Sequence, residues 1–446
     1  GHLTVVESLQ DLYDRAITKF SYEPAGRLPV AALTQEPAVG TQRSLPELHR
    51  PWVDDVEIAC ESCGKPTKRI SEVGDCWLDA GIVPYSTLDY RTNPDYWQEW
   101  FPAGWISEMR EQVRLWFYSM LFMSVTLEDR TPYEACMVYE KMNDERGRPM
   151  HKSHGNAIWF DEAAQRMGAD AMRWVFASQN LKTNLNFGYG PADEVRRRLL
   201  TLWNVYSLFV TYANIDGFVP SKAAMPAKAR PELDRWLISR LQGLIGQARV
   251  AFDAYDVAPF TQAFERFVGD DLSNWHVRRS RRRLWKSEED ADKTSAYLTL
   301  YETLTTLAAL VAPILPFLAE EMYQNLVRSN SVSADSSVHH CRYPEVDPSL
   351  VDVRLEREMA LVRRVVELGL AARNASGVKV RQPLAALKVA LGDSARWPAE
   401  LEDLVLDELN VKRVEQAGEE TVAERSFKAN LPLLGPKLGP KLREVR

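Results

Sequence analysis

The sequence predicts a multidomain protein that combines an α/β segment, an all-α helix bundle and a small α+β module. Three observations support this prediction. Short apolar runs alternate with helical stretches up to about residue 190, long amphipathic segments follow, and the C-terminal part mixes one long helix with short strand-like runs. A chain of 446 residues has room for two to four domains, each with its own core.

The composition is that of an ordinary globular protein, with 45% hydrophobic and 26% charged residues. No apolar run reaches the roughly 18 residues that span a bilayer, and the N-terminus has no secretory signal pattern. Five cysteines in a chain of this size do not form a disulfide framework, so we expect a reducing, cytoplasmic compartment. The net charge of −7 argues against a protein covered by nucleic acid, although a local basic face remains compatible with it.

Residues 1–50 carry scattered prolines and glycines, which predicts a connecting segment that leaves another domain. The α/β segment follows over residues 51–190. Within it, residues 105–121 are predicted to be helical and residues 135–139 to form a buried strand. The alternation of the two element types is typical of an α/β layer.

Long helices with short connections predict a bundle over residues 191–328. The four amphipathic segments are residues 193–213, 231–254, 259–285 and 291–328. Pro313 and Pro316 are expected to kink or divide the last of them.

The C-terminal module covers residues 338–446 and follows a Ser/Asn-rich loop. A periodic helix over residues 350–375 is expected to end at Ser376-Gly377, because glycine suits a helix C-cap. A strand, a helix and a second strand are then predicted at residues 387–391, 399–409 and 411–415. The chain starts with Gly1 and stops in a loop-like sequence, so we expect both ends to be cut and this module to be incomplete.

A phosphate-binding loop is predicted at residues 147–156, which read Gly-Arg-Pro-Met-His-Lys-Ser-His-Gly-Asn. Lysine supplies a compact cation there, and a mobile loop lets it follow charge that moves between oxygens. Asp161 is placed to cap the next helix. A bare Met-x-Lys-Ser is more often an exposed basic turn, so the segments around the loop decide between the two interpretations.

Those segments resemble the class I aminoacyl-tRNA synthetases of the isoleucine type. The loop is similar to their Lys-Met-Ser-Lys-Ser signature, which is typically followed by a Gly-Asn pair as it is here. The other matching segments are residues 48–54 (LHRPWVD), 75–81 (DCWLDAG), 111–117 (EQVRLWF), 168–173 (GADAMR), 270–281 (DDLSNWHVRRSR), 371–374 (AARN) and 378–383 (VKVRQP).

The resemblance implies a Rossmann-like catalytic domain split by an editing insertion, of which residues 51–190 would be the second half, and an anticodon-binding bundle. The implied reaction joins isoleucine to its tRNA through an adenylate, with ATP and Mg²⁺ as cofactors. Lys152 would stabilise the transition-state charge as pyrophosphate leaves. The implied ATP-binding residues are Met150, His151, Lys152 and Ser153, and the implied amino-acid and adenylate pocket is Trp77, Asp79, Glu111, Gln112, Arg114 and Trp116.

Several positions depart from the family pattern. The first signature lysine is Pro149, the middle serine is His151, and two expected glycines are Met109 and Leu115. None of the seven histidines has the His-x-Gly-His spacing of the other class signature. Two explanations stay open: this half-site lies in a missing N-terminal half, or the chain is a diverged, non-catalytic tRNA-binding paralog. The valine-specific enzyme is the nearest enzymatic alternative, and residues 270–281 favour isoleucine.

A basic run follows in the predicted bundle, with six Arg and Lys residues between His276 and Lys286 and no acidic one. Arginine and aromatic groups together suit an RNA backbone and unstacked loop bases, and Trp285 adds a ring at the end of the run. Arg278, Arg282 and Lys286 share a helical face. The predicted tRNA-binding residues are Trp275, Arg278, Arg279, Arg282, Arg283 and Lys286. The alternative is a solvated face, or arginines paired to Asp270 and Asp271.

Cys60 and Cys63 form a Cys-x-x-Cys turn that ends in glycine, which is half of a zinc knuckle. The nearest completions in the sequence are Cys76 and His49. A turn that is vestigial or simply buried is the alternative.

Overall fold

A computed structural model describes residues 2–18, 20–22, 43–45, 52–71, 76–151, 154–223, 225–286, 290–391 and 396–418. His49, Lys152, Ser153 and residues 419–446 of the predicted C-terminal module lie outside the described residues. The chain divides into two compact units, residues 1–138 and 139–446. The division falls inside the stretch 51–190, which the sequence assigns to one domain. None of the described helices has the length and apolar character to cross a membrane.

The first unit contains short elements throughout. Its helices are α1 (Leu9–Arg15), α2 (Cys76–Gly81), α3 (Val83–Ser86), α4 (Pro94–Trp100) and α5 (Trp116–Glu128), with 3-10 turns at Trp52–Asp55 and Arg110–Arg114. Its strands are β1 (Phe20–Tyr22), β2 (Arg43–Leu45), β3 (Glu57–Ala59), β4 (Pro66–Lys68), β5 (Ile106–Met109) and β6 (Cys136–Tyr139). Residues 1–50, predicted as a connecting segment, therefore include a helix, which the Ser8 side chain caps by accepting from the Asp11 N–H.

Two expected elements in this unit differ from the prediction. Residues 105–121 are not one helix, because β5 and the 3-10 turn precede α5. The strand β6 was expected to be buried, but its side chains alternate between exposed and half-buried positions. A run of apolar letters in the sequence does not distinguish a buried strand from one that leaves a face open.

Helices α2 and α5 approach each other closely at Gly81. A Cβ atom on this residue would lie 2.8 Å from the carbonyl carbon of Ser119. The Trp116 indole N–H donates to the Ala80 carbonyl at 2.9 Å and ties the same two helices together. Only glycine permits this approach of the two backbones.

The second unit is rich in helices. Its helices are α6 (Phe160–Met167), α7 (Ala169–Ala177), α8 (Tyr189–Asp216), α9 (Glu232–Asp253), α10 (Ala258–Arg266), α11 (Arg278–Trp285), α12 (Ala291–Val311), α13 (Pro316–Tyr323), α14 (Val353–Ala375) and α15 (Glu402–Leu409). Two π-helical segments, Phe267–Val277 and Gln324–Arg328, continue α10 and α13. Its strands are β7 (Met142–Asp144), β8 (Leu185–Phe187), β9 (Leu387–Val389) and β10 (Val414–Gln416).

One hydrophobic core runs through α6–α15. Trp174, Trp236, Phe260 and Phe264 are its largest fully buried side chains. The four predicted segments appear as α8, as α9, as α10 to α11 through the π segment, and as α12 to α13. The last one breaks between Val311 and Pro316, because a proline ring clashes with the preceding helical turn.

The predicted C-terminal elements are present in their expected order within the described residues. Helix α14 ends at Ala375, and Gly377 has φ +67°, a conformation that favours glycine at a helix C-terminus. Strands β9 and β10 pair in parallel. Helices α14 and α15 approach closely, since a Cβ atom on Gly369 would overlap the buried Leu409 side chain.

The described strands pair only two by two, in five sheets. The pairs β1–β2, β7–β8 and β9–β10 are parallel, and β3–β4 is antiparallel. A continuous parallel sheet is therefore not found among the described residues, and the Rossmann-like domain stays a prediction.

Candidate functional site

The predicted phosphate-binding loop begins directly after β7. Asp144 ends this strand and is buried, and Gly147 turns the chain with φ +78°. Met150 packs against the core of the second unit, whereas His151 is exposed. Gly155 has φ +67°, so the loop is bounded by two positions that favour glycine.

Asn156 closes the loop by contacting both of its ends. Its side-chain amide donates to the Pro149 carbonyl at 3.0 Å and to Asp144 Oδ2 at 3.1 Å. Its amide oxygen accepts from the His151 N–H at 2.9 Å. Asn156 therefore holds the two ends of the loop segment 150–155 next to each other.

Asp144 holds the other side of this closure. Its carboxylate accepts from the backbone N–H groups of Arg146 and Arg148 at 3.0 and 2.9 Å, and from Arg148 Nε at 2.9 Å. The backbone donor of Arg148 is the main cause that lowers the pKa of Asp144, against the opposing effect of burial. The residue is consequently an anion at neutral pH that fixes the turn before the loop.

Glu145 links the same turn to the start of α8. Its Oε2 accepts from the Gly190 N–H at 2.9 Å. A Cβ atom on Gly188 would lie 2.7 Å from that oxygen. Glycine is therefore needed where the Glu145 side chain passes over the backbone of residue 188. A carboxylate at the N-terminus of the 28-residue α8 also interacts favourably with the helix dipole.

Asp161 does not cap the helix after the loop, which corrects the expectation. Helix α6 begins at Phe160 with Trp159 as its N-cap, and Asp161 lies in the first turn. A negative charge there still favours the helix through its dipole.

The predicted amino-acid and adenylate pocket residues lie in the first unit, on α2, on the 3-10 turn Arg110–Arg114 and at the start of α5. The contact between α2 and α5 brings Trp116 beside the end of α2. Gln112 accepts from the Trp116 backbone N–H at 3.0 Å and so stabilises the first turn of α5. Asp79 and Arg114 are exposed, whereas Trp77 and Glu111 are half-buried.

At the two positions of this segment where the family pattern has glycine, the backbone does not adopt the left-handed conformation. Met109 has φ −61° and Leu115 has φ −125°, and neither value lies in the left-handed region. What changes at both positions is the added side chain.

The predicted tRNA-binding residues divide into a braced group and an exposed group. Arg279 and Arg283 have side chains only 7% and 13% exposed. The Arg279 guanidinium lies 3.4 Å from the centroid of the Trp275 ring and pairs with Glu408. Trp275 is buried, with its indole N–H directed at the Met359 sulfur at 3.2 Å. The side chains of Trp275, Arg279 and Arg283 therefore pack inside the second unit.

Asp234 lies at the centre of a buried polar cluster on the inner side of α11. Arg283 donates to both of its oxygens, at 2.9 and 2.6 Å, and His276 Nε2 lies 2.7 Å from Oδ1. The Ser295 hydroxyl donates to Oδ2. Burial would raise the pKa of Asp234, but the bonds from Arg283 and His276 outweigh it and lower the pKa.

The remaining basic side chains face outward or pair at the surface. Lys286 contacts Asp290 at 2.5 Å and Asp292 at 3.3 Å, and the first of these bonds raises its pKa. Arg278 is exposed and lies 3.0 Å from Glu408. Arg282 is exposed and makes no ion pair among the described residues. The sequence offered Asp271 as a partner for the arginines of the basic run. Asp271 instead forms ion pairs with Arg240 of α9 and Arg363 of α14.

The cysteine turn gathers a third possible metal ligand. The ligand atoms of His2, Cys60 and Cys63 all lie within 4.8 Å of one another. Backbone N–H groups of Ser62 and Cys63 lower the pKa of Cys60 to about 7, which favours its thiolate. Cys76, one of the two completions considered from the sequence, is exposed and outside this cluster.

Sequence reasoning missed Asn156 and Asp144 as closing residues, Asp234 as a buried anion and His2 as a third donor group beside Cys60 and Cys63. The Gly-Asn pair after the loop was a visible signal for Asn156. Nothing in the sequence linked Asp234 to His276 and Arg283, which lie more than 40 positions away.

Two family descriptions match the chain. Residues 38–188 match "tRNA synthetases class I (I, L, M and V)", and residues 234–391 match "Anticodon-binding domain of tRNA ligase". The first match contains the loop, and the second contains α11.

Curated relatives carry the name isoleucine–tRNA ligase. The protein of Thermus thermophilus is 41% identical across 98% of this chain and 44% of its own length. Those of Clostridium acetobutylicum and Dehalococcoides mccartyi are 40% and 43% identical across 90% and 88% of this chain, and 39% of their own lengths. The chain therefore spans about two fifths of the length of these relatives.

Among solved structures, the LeuRS of Agrobacterium radiobacter, in its ternary complex with tRNA and LeuAMS, aligns with a TM-score of 0.52. The alignment has 19% sequence identity and covers 68% of this chain and 36% of that one. At this identity the likeness concerns the fold alone.

Proposed function

Because the chain belongs to the isoleucine-type class I aminoacyl-tRNA synthetases, we propose that it forms the signature-loop and anticodon-binding parts of a cytoplasmic isoleucine–tRNA ligase. The reaction would activate isoleucine with ATP and pass the acyl group to the isoleucine tRNA. The His-x-Gly-His motif, which these 446 residues lack, would come from the missing N-terminal half of the longer protein.

The closed loop carries this proposal. Asp144 and Asn156 fix both ends of the segment in whose sequence Met150, His151, Lys152 and Ser153 follow one another. Displacement at a phosphate is catalysed mainly by positioned charge, so an anchored loop with one lysine suits the departing pyrophosphate. Mg²⁺ bound with ATP would neutralise further phosphate charge.

In the first unit, the segment from Glu111 to Trp116 and the residues Trp77 and Asp79 are proposed to line the amino-acid and adenylate pocket. The contact between α2 and α5 supports this, because it joins the helix that carries Trp77 and Asp79 to the helix that begins with Trp116. The pocket is a proposal for the whole protein.

A non-catalytic tRNA-binding paralog is the second candidate. Pro149 and His151 replace two signature residues, and Met109 and Leu115 add side chains where glycines were expected. A paralog would tolerate all four changes and keep the bundle. A valine-specific enzyme is disfavoured, since the relatives reported above are named for isoleucine.

Zinc is proposed for the cluster of His2, Cys60 and Cys63. Two thiolates and one imidazole are three of the four ligands of a structural zinc site, and the residues present fit this donor set. Zinc would tie the N-terminal segment to the turn between β3 and β4.

Isoleucine-dependent exchange of pyrophosphate into ATP, measured on the longer natural protein, tests the enzyme proposal. We expect exchange with isoleucine exceeding exchange with valine. Lys152→Ala should slow adenylate formation on the order of 100- to 1000-fold while isoleucine binding changes little, because the lost cation acts on the leaving group.

Lys182→Ala is the matched control, since Lys182 is an exposed lysine outside the loop. The 446-residue chain alone should not catalyse exchange. An adenylate rate that is unchanged by Lys152→Ala would remove the role of this lysine, and a longer protein without any exchange would favour the paralog.

A further inference from the structure

Helix α11 presents four exposed side chains on one stripe. Arg278, Arg281, Arg282 and Trp285 are the exposed residues of this helix, at relative positions i, i+3, i+4 and i+7. The opposite side holds Arg279, Ser280, Arg283 and Leu284 in the core. The two faces of one basic helix therefore have separate roles.

Charge is unequal along the stripe. Arg278 lies 3.0 Å from Glu408 and beside the acidic α15, so its charge is partly compensated. At the other end, Lys286 is held by Asp290 and Asp292. Arg281 and Arg282 form no ion pair in the part of the chain that the structure describes. Among the described residues, the positive charge without an ion-pair partner consequently lies between these two ends.

Trp285 stands directly beside this charge. Its side chain is 56% exposed, although a tryptophan at a helix end normally buries most of its surface. Aromatic rings stack with unpaired bases through their π-faces, and neighbouring arginines hold the backbone phosphates. An exposed ring beside two exposed guanidinium groups therefore fits a single-stranded RNA loop better than a regular duplex, whose bases are already stacked.

We infer that Arg281, Arg282 and Trp285 form the RNA contact of α11, with Trp285 stacking on an unstacked base of the tRNA loop that this domain binds. This inference rests on the proposed tRNA-binding function and assigns its residues. It removes Trp275, Arg279 and Arg283 from the RNA contact, since their side chains are committed to Met359, Glu408 and Asp234.

The test measures the binding of this chain to three RNAs: a tRNA transcript for isoleucine, its anticodon stem-loop, and the stem as a plain duplex. Trp285→Ala should weaken binding of the tRNA and the stem-loop about 5- to 150-fold, the range expected for one lost base stack. Binding of the duplex should not change. Trp285→Phe should restore most of the affinity, because a phenyl ring also stacks.

Loss of Arg281 and Arg282 should instead change how strongly RNA binding depends on the salt concentration. The double variant Arg281→Gln/Arg282→Gln should reduce the slope of log affinity against log salt concentration by about 1.4, which is about 0.7 for each lost phosphate contact. Trp285→Ala should leave that slope unchanged. The controls are Trp100→Ala, whose ring is also 56% exposed, and Arg197→Gln on the surface of α8.

Two kinds of failure are distinguishable. A wild-type chain that binds none of the three RNAs would overturn the tRNA-binding function itself, before any variant is made. If the wild type binds but the α11 variants behave like their controls, the assignment of this stripe is wrong while the function stands. Equal weakening of duplex and stem-loop by Trp285→Ala would also overturn the stacking role. The melting temperature of each variant, expected to be unchanged, shows that the fold is retained.

Discussion

At the scale of single residues, the chain uses the same residue type for opposite purposes. Arg283 is buried against Asp234, whereas Arg282 beside it is exposed. The cysteines divide in the same way. Cys60 is buried within reach of His2 and Cys63, and Cys136 is exposed and distant from them. The surroundings of each side chain, rather than its letter in the sequence, decide its role.

The metal prediction belongs to this scale. Cys60→Ser or Cys63→Ser should abolish stoichiometric zinc in the purified protein, and His2→Ala should weaken its retention against a chelator, since each removes one of three donors. Cys136→Ser is the control and should keep its zinc. Elemental analysis after dialysis in zinc-buffered solution measures this. A wild-type protein that takes up no zinc, or a Cys136→Ser variant that loses it equally, would contradict the site.

At the scale of elements, close contacts at glycines set the distances between neighbouring helices. Helices α2 and α5 meet at Gly81, and α14 meets α15 at Gly369. In both cases a hydrogen atom stands where any other residue would place a carbon. The proposed amino-acid and adenylate pocket therefore depends on a residue that contacts no substrate in the proposal.

Gly81→Ala should lower the free energy of unfolding by about 1–3 kcal/mol, because the added methyl would overlap the Ser119 backbone and push α2 away from α5. Gly104→Ala is the matched control, as no atom lies within 4 Å of its added Cβ. Melting curves followed by near-ultraviolet circular dichroism, which reports on tryptophan packing, measure the effect. Equal melting temperatures for the two variants would show that the contact at Gly81 relaxes without cost.

At the scale of the whole molecule, the second unit has a long hydrophobic core with a charged cluster inside it. Asp234 is fully buried, and it is satisfied by His276 of the π-helical segment, Arg283 of α11 and Ser295 of α12. Such a cluster joins α9, α11 and α12, so its loss should lower the stability of the whole bundle. Removing one partner leaves buried charges without compensation.

Asp234→Ala should therefore cost about 3–5 kcal/mol in the free energy of unfolding at pH 7. The folded-state pKa of Asp234 is lowered, so its stabilising contribution is complete above the unfolded pKa of about 4 and is lost as the pH falls through the folded value. In denaturant titrations between pH 7 and pH 3, the wild type should start to lose this contribution below about pH 4, whereas Asp234→Ala has no such contribution to lose. Asp403→Ala, at an exposed site, is the control. Parallel pH profiles for Asp234→Ala and the wild type would contradict the assignment.

The sequence predicted the bundle and the C-terminal elements well, because helical periodicity and glycine or proline boundaries are local signals. The breaks at Pro313 and Gly377 illustrate this. It failed where the outcome depends on distant partners. Residues 105–121 could not be divided into strand and helix by periodicity, and Asp161 lost the cap position to Trp159. In the same way, the sequence alone could not divide the six Arg and Lys residues of the basic run into buried, ion-paired ones and exposed ones. That division depends on Asp234 and Glu408, which are distant in the sequence.

The π-helical segment Phe267–Val277 determines how α11, which follows it directly, is rotated about the helix axis. Its wider turns hold more residues than α-helical turns, so they fix how far α11 is rotated about its axis. Removing one residue from this segment would turn α11 by about 100°. Arg283 would then leave Asp234, and the outward stripe would turn toward the core. Length, rather than composition, is therefore the property of this segment that keeps the two faces of α11 apart.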